Sequence, residues 1–207
     1  MRDLIICSVG VHAFEMAEIV DRVNRIAPTW NLLGYFAERG RAANFVGQQH
    51  NGHPVLGTID DLGKYAGATL VVGNEFHDPF PLERCVSLVD PSAWVSRTAT
   101  IGRAGVVYPH CYIGLNARLG DRVFCLSGSS INHDDVLEDN VVLATGATLA
   151  GVVHVETGCY LGQDCSIRQM LRIGRNSLIG MGAVVVKDVP PNSVMAGNPA
   201  RLLRQRT

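Results

Sequence analysis

Ile173-Gly174-Arg175-Asn176-Ser177-Leu178-Ile179-Gly180-Met181-Gly182-Ala183-Val184-Val185 decides the fold, because an aliphatic residue returns every six positions: Ile173, Ile179, Val185. Followed backward, the series runs without a gap through Ile167, Leu161, Val155, Leu149, Leu143, Leu137, Ile131, Cys125, Leu119, Ile113, Val107, Ile101 and Val95 to Val89. Four residues after most members stands a small side chain, such as Ala99, Gly105, Ala117, Ser129, Ala147, Cys159, Ser177 or Ala183. A period of six is neither the 3.6 of a helix nor the 2 of an ordinary strand. It predicts a parallel β-helix, in which each coil of short strands stacks on the last.

Three hexads make one triangular coil, so residues eighteen apart share a face. On one face the residues just before the aliphatic slots are Val106, Phe124, Val142, Tyr160 and Leu178, all apolar. A continuous apolar stripe on an outward-facing column predicts an interface with another copy of the chain, packing on the N-terminal unit being the alternative, and a triangular prism suits a trimer.

Residues 1–88 read differently. Leu4-Ile5-Ile6-Cys7, Trp30–Phe36 and Thr69–Gly73 predict strands. Ala13, Met16, Ala17, Val20 and Val23 recur at helical spacing, and Thr58 is placed to cap a short helix over 59–66. Residues 37–57 read as polar and irregular. Strand–helix–strand–helix–strand predicts a Rossmann-like parallel sheet, giving a division into residues 1–88 and 89–207. Ligands of such sheets sit beyond the carboxyl ends of the strands, which gathers Gly10, Val11, His12, Ala37, Glu38, Gly73, Asn74 and Glu75 around one crevice. Ser8 and Ala13 stand where a dinucleotide fingerprint has glycines, so a dinucleotide cofactor is not expected; a nucleotide-bearing substrate is.

With 207 residues, 47% hydrophobic, 18% charged and a net charge of −1, the chain offers no basic surface for nucleic acid or anionic membrane. No apolar run is long enough to span a bilayer and the first residues do not read as a signal peptide, so the expected compartment is cytoplasmic. The six cysteines contain no Cys-x-x-Cys pair; Cys111, Cys159 and Cys165 fill small-residue slots and Cys125 an aliphatic one, as buried thiols rather than disulfides or metal ligands.

One hexad, Ile131-Asn132-His133-Asp134-Asp135-Val136, carries the polar cluster. A histidine followed by a carboxylate has the makings of a general base, since imidazole accepts a proton near neutrality and the acid orients the ring. Asp135 occupies a slot that points inward, where a carboxylate needs corner amides or the His133 cluster as partners. His110, His133 and His154 fall at different hexad offsets, so a zinc site of the γ-carbonic-anhydrase kind is not expected.

The hexads, together with Lys187-Asp188-Val189-Pro190-Pro191-Asn192-Ser193-Val194-Met195-Ala196-Gly197-Asn198-Pro199-Ala200, resemble the left-handed β-helix acyltransferases that use acetyl-CoA. With the small N-terminal unit and Asn132-His133-Asp134, the chain is similar to the sialic-acid O-acetyltransferase-like branch, which includes N-acetyltransferases of nucleotide-linked amino sugars. The resemblance implies left-handedness, a homotrimer, His133 as general base with Asp134 behind it, and a nucleotide-linked sugar held by Gly10, Val11, His12, Glu38, Gly73 and Asn74. It also implies acetyl-CoA along a groove between subunits, near Gly162, Gln163, Gly180 and Met181, with no metal. The chain departs from the pattern at Val142, where several relatives have a second histidine, and at Ala37-Glu38, where the family often has paired aspartates. N-acetylation of a 4-amino sugar for surface glycans is the leading expectation. O-acetylation of a hydroxyl such as that of sialic acid, and a non-catalytic scaffold, are the alternatives.

Overall fold

The computed structural model describes residues 1–206, which form two compact units: Met1–Pro91 with Arg103–Val106, and Ser92–Gly102 with the chain from Val107 onward. In the first unit, strands β1 (Arg2–Cys7), β2 (Trp30–Ala37), β3 (Gln49–His50), β4 (His53–Thr58) and β5 (Thr69–Val72) form one sheet in the order β3-β4-β2-β1-β5. Pairings of β1 with β2 and β5, and of β2 with β4, are parallel; β3 and β4 form an antiparallel pair. Helix α1 (Val11–Ile26) buries Ala13, Met16, Ala17, Ile19 and Val20, the stripe expected from its spacing. Arg22, on α1, makes a two-pronged bond to the fully buried carboxylate of Asp90, at 2.7 and 3.1 Å, so that charge enters the interior already paired.

Thr58 caps the turn of 3-10 helix Ile59–Tyr65 in a capping box with Asp61. The stretch 37–57, expected to be irregular, instead contributes β3, β4 and the short helix α2 (Ala42–Phe45). Pro54 and Gly57 disguise β4, and Gly34 lacks the side chain that would collide with the Pro54 carbonyl as β4 lies against β2.

In the second unit, two-residue rungs pair in parallel with rungs eighteen residues away, as Tyr112–Ile113 does with Ser130–Ile131 and Arg118–Leu119 with Val136–Leu137. The rungs make three sheets, the faces of a parallel β-helix. Every member of the aliphatic series from Val107 to Val185 is buried; Val95 and Ile101, on the terminal rungs of their sheets, are half-buried. From Ala104 to Gly182 a residue of positive φ recurs every six positions along the corners: Ala104, His110, Asn116, Arg122, Gly128, Asp134, Asn140, Gly146, Val152, Gly158, Asp164, Met170, Asn176, Gly182. Glycine, asparagine and aspartate dominate this list because they tolerate the left-handed region. Val152 is the β-branched exception, at φ 56°.

All six cysteines are buried thiols. Desolvation raises the Cys125 thiol well above its ordinary range and Cys165 to about 12, so they pack as small hydrophobes. The apolar stripe is only partly a free surface. Val106 and Phe124 are buried within the single chain, Phe124 against the Tyr108 ring at 5.5 Å, while Tyr160 is 39% exposed. Any contact with another copy therefore falls to the Val142–Tyr160–Leu178 end. No described helix is long and apolar enough to cross a membrane.

Candidate active site

His133 stands on a corner of the β-helix, between the rungs Ser130–Ile131 and Val136–Leu137. Its Nδ1 lies 3.0 Å from Asp134 Oδ2. A carboxylate there accepts Nδ1–H and leaves the lone pair on Nε2, the nitrogen turned away from Asp134. Hydrogen bonding to His133, and then to Asn116, holds the Asp134 carboxyl below the usual carboxylate range. Asn116, one coil earlier on the same corner, donates its side-chain Nδ2–H to Asp134 Oδ1 at 3.0 Å.

Asp135 takes the first of the two roles open to it. It is fully buried, and accepts the backbone N–H groups of Asn132 and Val153, both at 2.7 Å. Desolvation nonetheless outweighs those bonds and raises its carboxyl. Asn132 donates its side-chain N–H to the Leu149 carbonyl, so both neighbours of the His133 corner are tied to the next coil.

Above the imidazole lies Gly151, at φ 104°. A Cβ there would come within 2.9 Å of His133 Nε2 and 3.1 Å of Cε1. With Val152 also at positive φ, the corner departs from its neighbours where the ring needs room. Beyond Gly151, whose carbonyl accepts the Met170 N–H at 3.1 Å, Ala150, Arg168, Gln169 and Met170 line an open groove of about 320 Å³. Period eighteen was the missed signal for both new residues: Gly151 is one coil beyond His133, and Asn116 one coil before Asp134.

In the first unit, Ser8, Val9, Glu38, Arg41, Glu75 and Phe76 line a crevice beyond the carboxyl ends of β1, β2 and β5. Gly10 caps α1 at φ 107°, and Gly73 sits against Ser8, whose Cβ a side chain at 73 would meet at 2.8 Å. Glu38 accepts the His77 N–H at 2.8 Å. Asn74 Oδ1 is buried without a protein partner. His12 Nδ1 lies 3.2 Å from Glu15 Oε2, and Val11 is 70% exposed. Arg41 escaped sequence reading because it lies in the stretch read as irregular, and Phe76 because it follows the third strand in a stretch assigned to no element. Beside the crevice Arg39 grips Asp60 with two N–H groups, at 2.6 and 2.9 Å, and reaches Asp78, joining the loops after β2, β4 and β5.

The residues expected to meet the coenzyme lie on another corner, since Gln163 follows the rung Tyr160–Leu161 and Met181 follows Leu178–Ile179. Gly162 and Gly180 lie against the following coil, where a Cβ on Gly162 would be 2.7 Å from the Met181 amide nitrogen. Met181 is 74% exposed and Gln163 is exposed beside it. One chain does not bring this corner and the His133 corner together. His154 is occupied in an ion ladder, 2.7 Å from Glu138 and 3.2 Å from Arg172. Among the described residues no group of three or more His, Cys, Asp or Glu is placed to hold a metal ion.

No family model matches the chain. Among solved structures, the acetyltransferase domain of PglB from Neisseria gonorrhoeae superposes with a TM-score of 0.83 at 26% identity, covering 98% of this chain and 100% of that one. That domain is also known in complex with acetyl coenzyme A. PerB from Caulobacter crescentus, solved with CoA and GDP-perosamine, superposes with a TM-score of 0.82 at 23% identity over 98% and 97% of the two chains. Among curated proteins, the acyl-[acyl-carrier-protein]–UDP-N-acetylglucosamine O-acyltransferase of Herminiimonas arsenicoxydans is 42% identical over 83 residues, 40% of this chain and 32% of that protein. The chain thus matches about a third of that relative's length. In its hexads, its coil and these likenesses, the chain is similar to the left-handed β-helix acyltransferases of the hexapeptide-repeat type.

Proposed function

We propose that the protein transfers an acetyl group from acetyl-CoA to the amine of a nucleotide-linked amino sugar, of the 4-amino-4,6-dideoxy type, with His133 as general base. The observation that carries this reading is the His133–Asp134 pair: an exposed imidazole, held through Nδ1 by a carboxylate, with Nε2 presented over a side-chain-free Gly151. In the reaction the sugar amine attacks the thioester carbonyl and Nε2 takes the proton lost from nitrogen. The tetrahedral intermediate then collapses with cleavage of the C–S bond, and the imidazolium returns its proton to the departing sulfur, releasing the coenzyme as a thiol. Asp134 keeps the ring in the required tautomer and stabilises the imidazolium that forms. Such a base supplies roughly 10²–10⁴-fold in rate.

The first unit, read as a Rossmann-like nucleotide-sugar domain, holds the nucleotide through Gly10, Val11, His12, Glu38, Gly73 and Asn74. Gln163 and Met181 meet the coenzyme, with Gly162 and Gly180 bringing backbone close. These residues and His133 occupy different corners, which favours a site completed by a second copy and so a homotrimer, working in the cytoplasm. The match to O-acyltransferases favours a second reading, transfer to a sugar hydroxyl.

Thiol release from acetyl-CoA, measured against nucleotide-linked 4-amino sugars and free sialic acids, separates the two. Release with the amino sugars and a product stable to alkaline hydroxylamine supports the amide. Release only with hydroxyl acceptors, giving a labile ester, refutes it.

A further inference from the structure

We infer that Asn116 is a positioning residue for the His133 base, acting through Asp134. This rests on the reading of His133 as the base. Thr98, Asn116 and Asp134 occupy the same corner on three successive coils, and each is bonded to the next: the Asn116 backbone N–H donates to Thr98 Oγ1 at 2.9 Å, and Asn116 Nδ2–H to Asp134 Oδ1 at 3.0 Å. Asp134 Oδ2 then lies 3.0 Å from His133 Nδ1. Both carboxylate oxygens are therefore engaged, one by the amide and one by the ring.

The second anchor matters because the pair is wet. The side chains of His133 and Asp134 are 59% and 49% exposed, and a lone exposed carboxylate–imidazole contact competes poorly with water. A carboxylate held at one oxygen only can swing about its χ angles; held at both, it presents Oδ2 to Nδ1 in one orientation. The corner itself does not demand asparagine. At φ 57° glycine or aspartate serves equally, as Gly128, Gly146 and Asp164 do on other corners. Of the three, only asparagine offers an N–H to a carboxylate.

The test uses Asn116→Gly and Asn116→Asp, both compatible with the backbone at this corner. The readout is the ¹⁵N imidazole shifts of His133 in its neutral form, assigned by their loss in His133→Ala. The wild-type protein is expected to show the Nδ1–H tautomer. Asn116→Gly shifts the population toward Nε2–H and lowers kcat by about three- to tenfold, part of what a general base supplies, with KM for acetyl-CoA unchanged. Asn116→Asp, which sets a carboxylate against Asp134, lowers kcat further. An unchanged tautomer in both variants overturns the inference, as does a kcat within twofold of wild type. If His133→Ala keeps its activity, the base reading fails by itself, and the tautomer still decides whether Asn116 orients the pair.

Discussion

Gly151→Ala separates the needs of the fold from those of the site. At φ 104° an alanine costs about 1–2 kcal/mol in backbone strain. Its Cβ would also stand 2.9 Å from Nε2, 3.1 Å from Cε1 and 3.2 Å from Cδ2 of His133, well inside the ~3.5 Å of a good contact. The obstacle is the far end of one exposed side chain, so the ring yields and the coil does not. Relief requires a ring displacement of roughly 0.5 Å or more, and misplacements approaching 1 Å cost up to about 10²-fold in rate. The expected result is a melting temperature lower by about 2–8 °C, from the strain at about 2–4 °C per kcal/mol, with kcat down roughly 10- to 100-fold. The assay is thiol release in wild type, Gly151→Ala, His133→Ala and the double variant. Because the alanine acts through the imidazole, it should cost nothing further once His133 is gone. A Gly151→Ala enzyme within threefold of wild type would refute the reasoning, as would an equal loss in the His133→Ala background.

Other perturbations test the surroundings. Asp135→Asn turns an amide N–H toward the Asn132 or Val153 N–H, leaving a buried donor unpaired at about 1–3 kcal/mol in denaturant unfolding. Because burial raises the folded Asp135 carboxyl above 3.8, the folded state binds its proton more tightly than the unfolded chain, and wild-type stability from this group falls as pH rises above that value. The deficit of Asp135→Asn should therefore narrow with rising pH; a deficit that widens contradicts the burial argument. Val152→Asn, at φ 56° and 44% exposed, should relieve about 1 kcal/mol and raise the melting temperature by about 2–4 °C, and an unchanged or lower value counts against strain there. Tyr160→Asp should lower the sedimentation coefficient without loss of β-helix circular dichroism, whereas Phe124→Asp should unfold the protein, since Phe124 is 1% exposed within the single chain. A Tyr160→Asp protein that sediments like wild type removes this face as the interface.

The β-helix was legible because its signal is local and repeated: each rung declares its buried residue, and each pairing is the same eighteen-residue step. The His133–Asp134 pair was legible for a related reason, being adjacent in sequence. Asn116 and Gly151 were hidden because their partners lie a full coil away, where only the period connects them. The small sheet was half legible. Strands β1, β2 and β5 carry continuous apolar runs, but β4 is His53-Pro54-Val55-Leu56-Gly57-Thr58, whose proline and glycine read as a loop. The Phe124 end of the apolar stripe misled because outward from a coil is not the same as outward to solvent: Phe124 points away from the β-helix core and is buried nevertheless.

The central claim is that His133 Nε2 removes the proton from the acceptor amine. Its most direct test is the kcat of His133→Gln, which keeps the polar corner but holds no base, in the thiol-release assay with a nucleotide-linked 4-amino sugar. The account predicts a loss of roughly 10²–10⁴-fold with KM for acetyl-CoA unchanged and the assembly intact by sedimentation. A His133→Gln enzyme retaining more than a tenth of the wild-type kcat contradicts it.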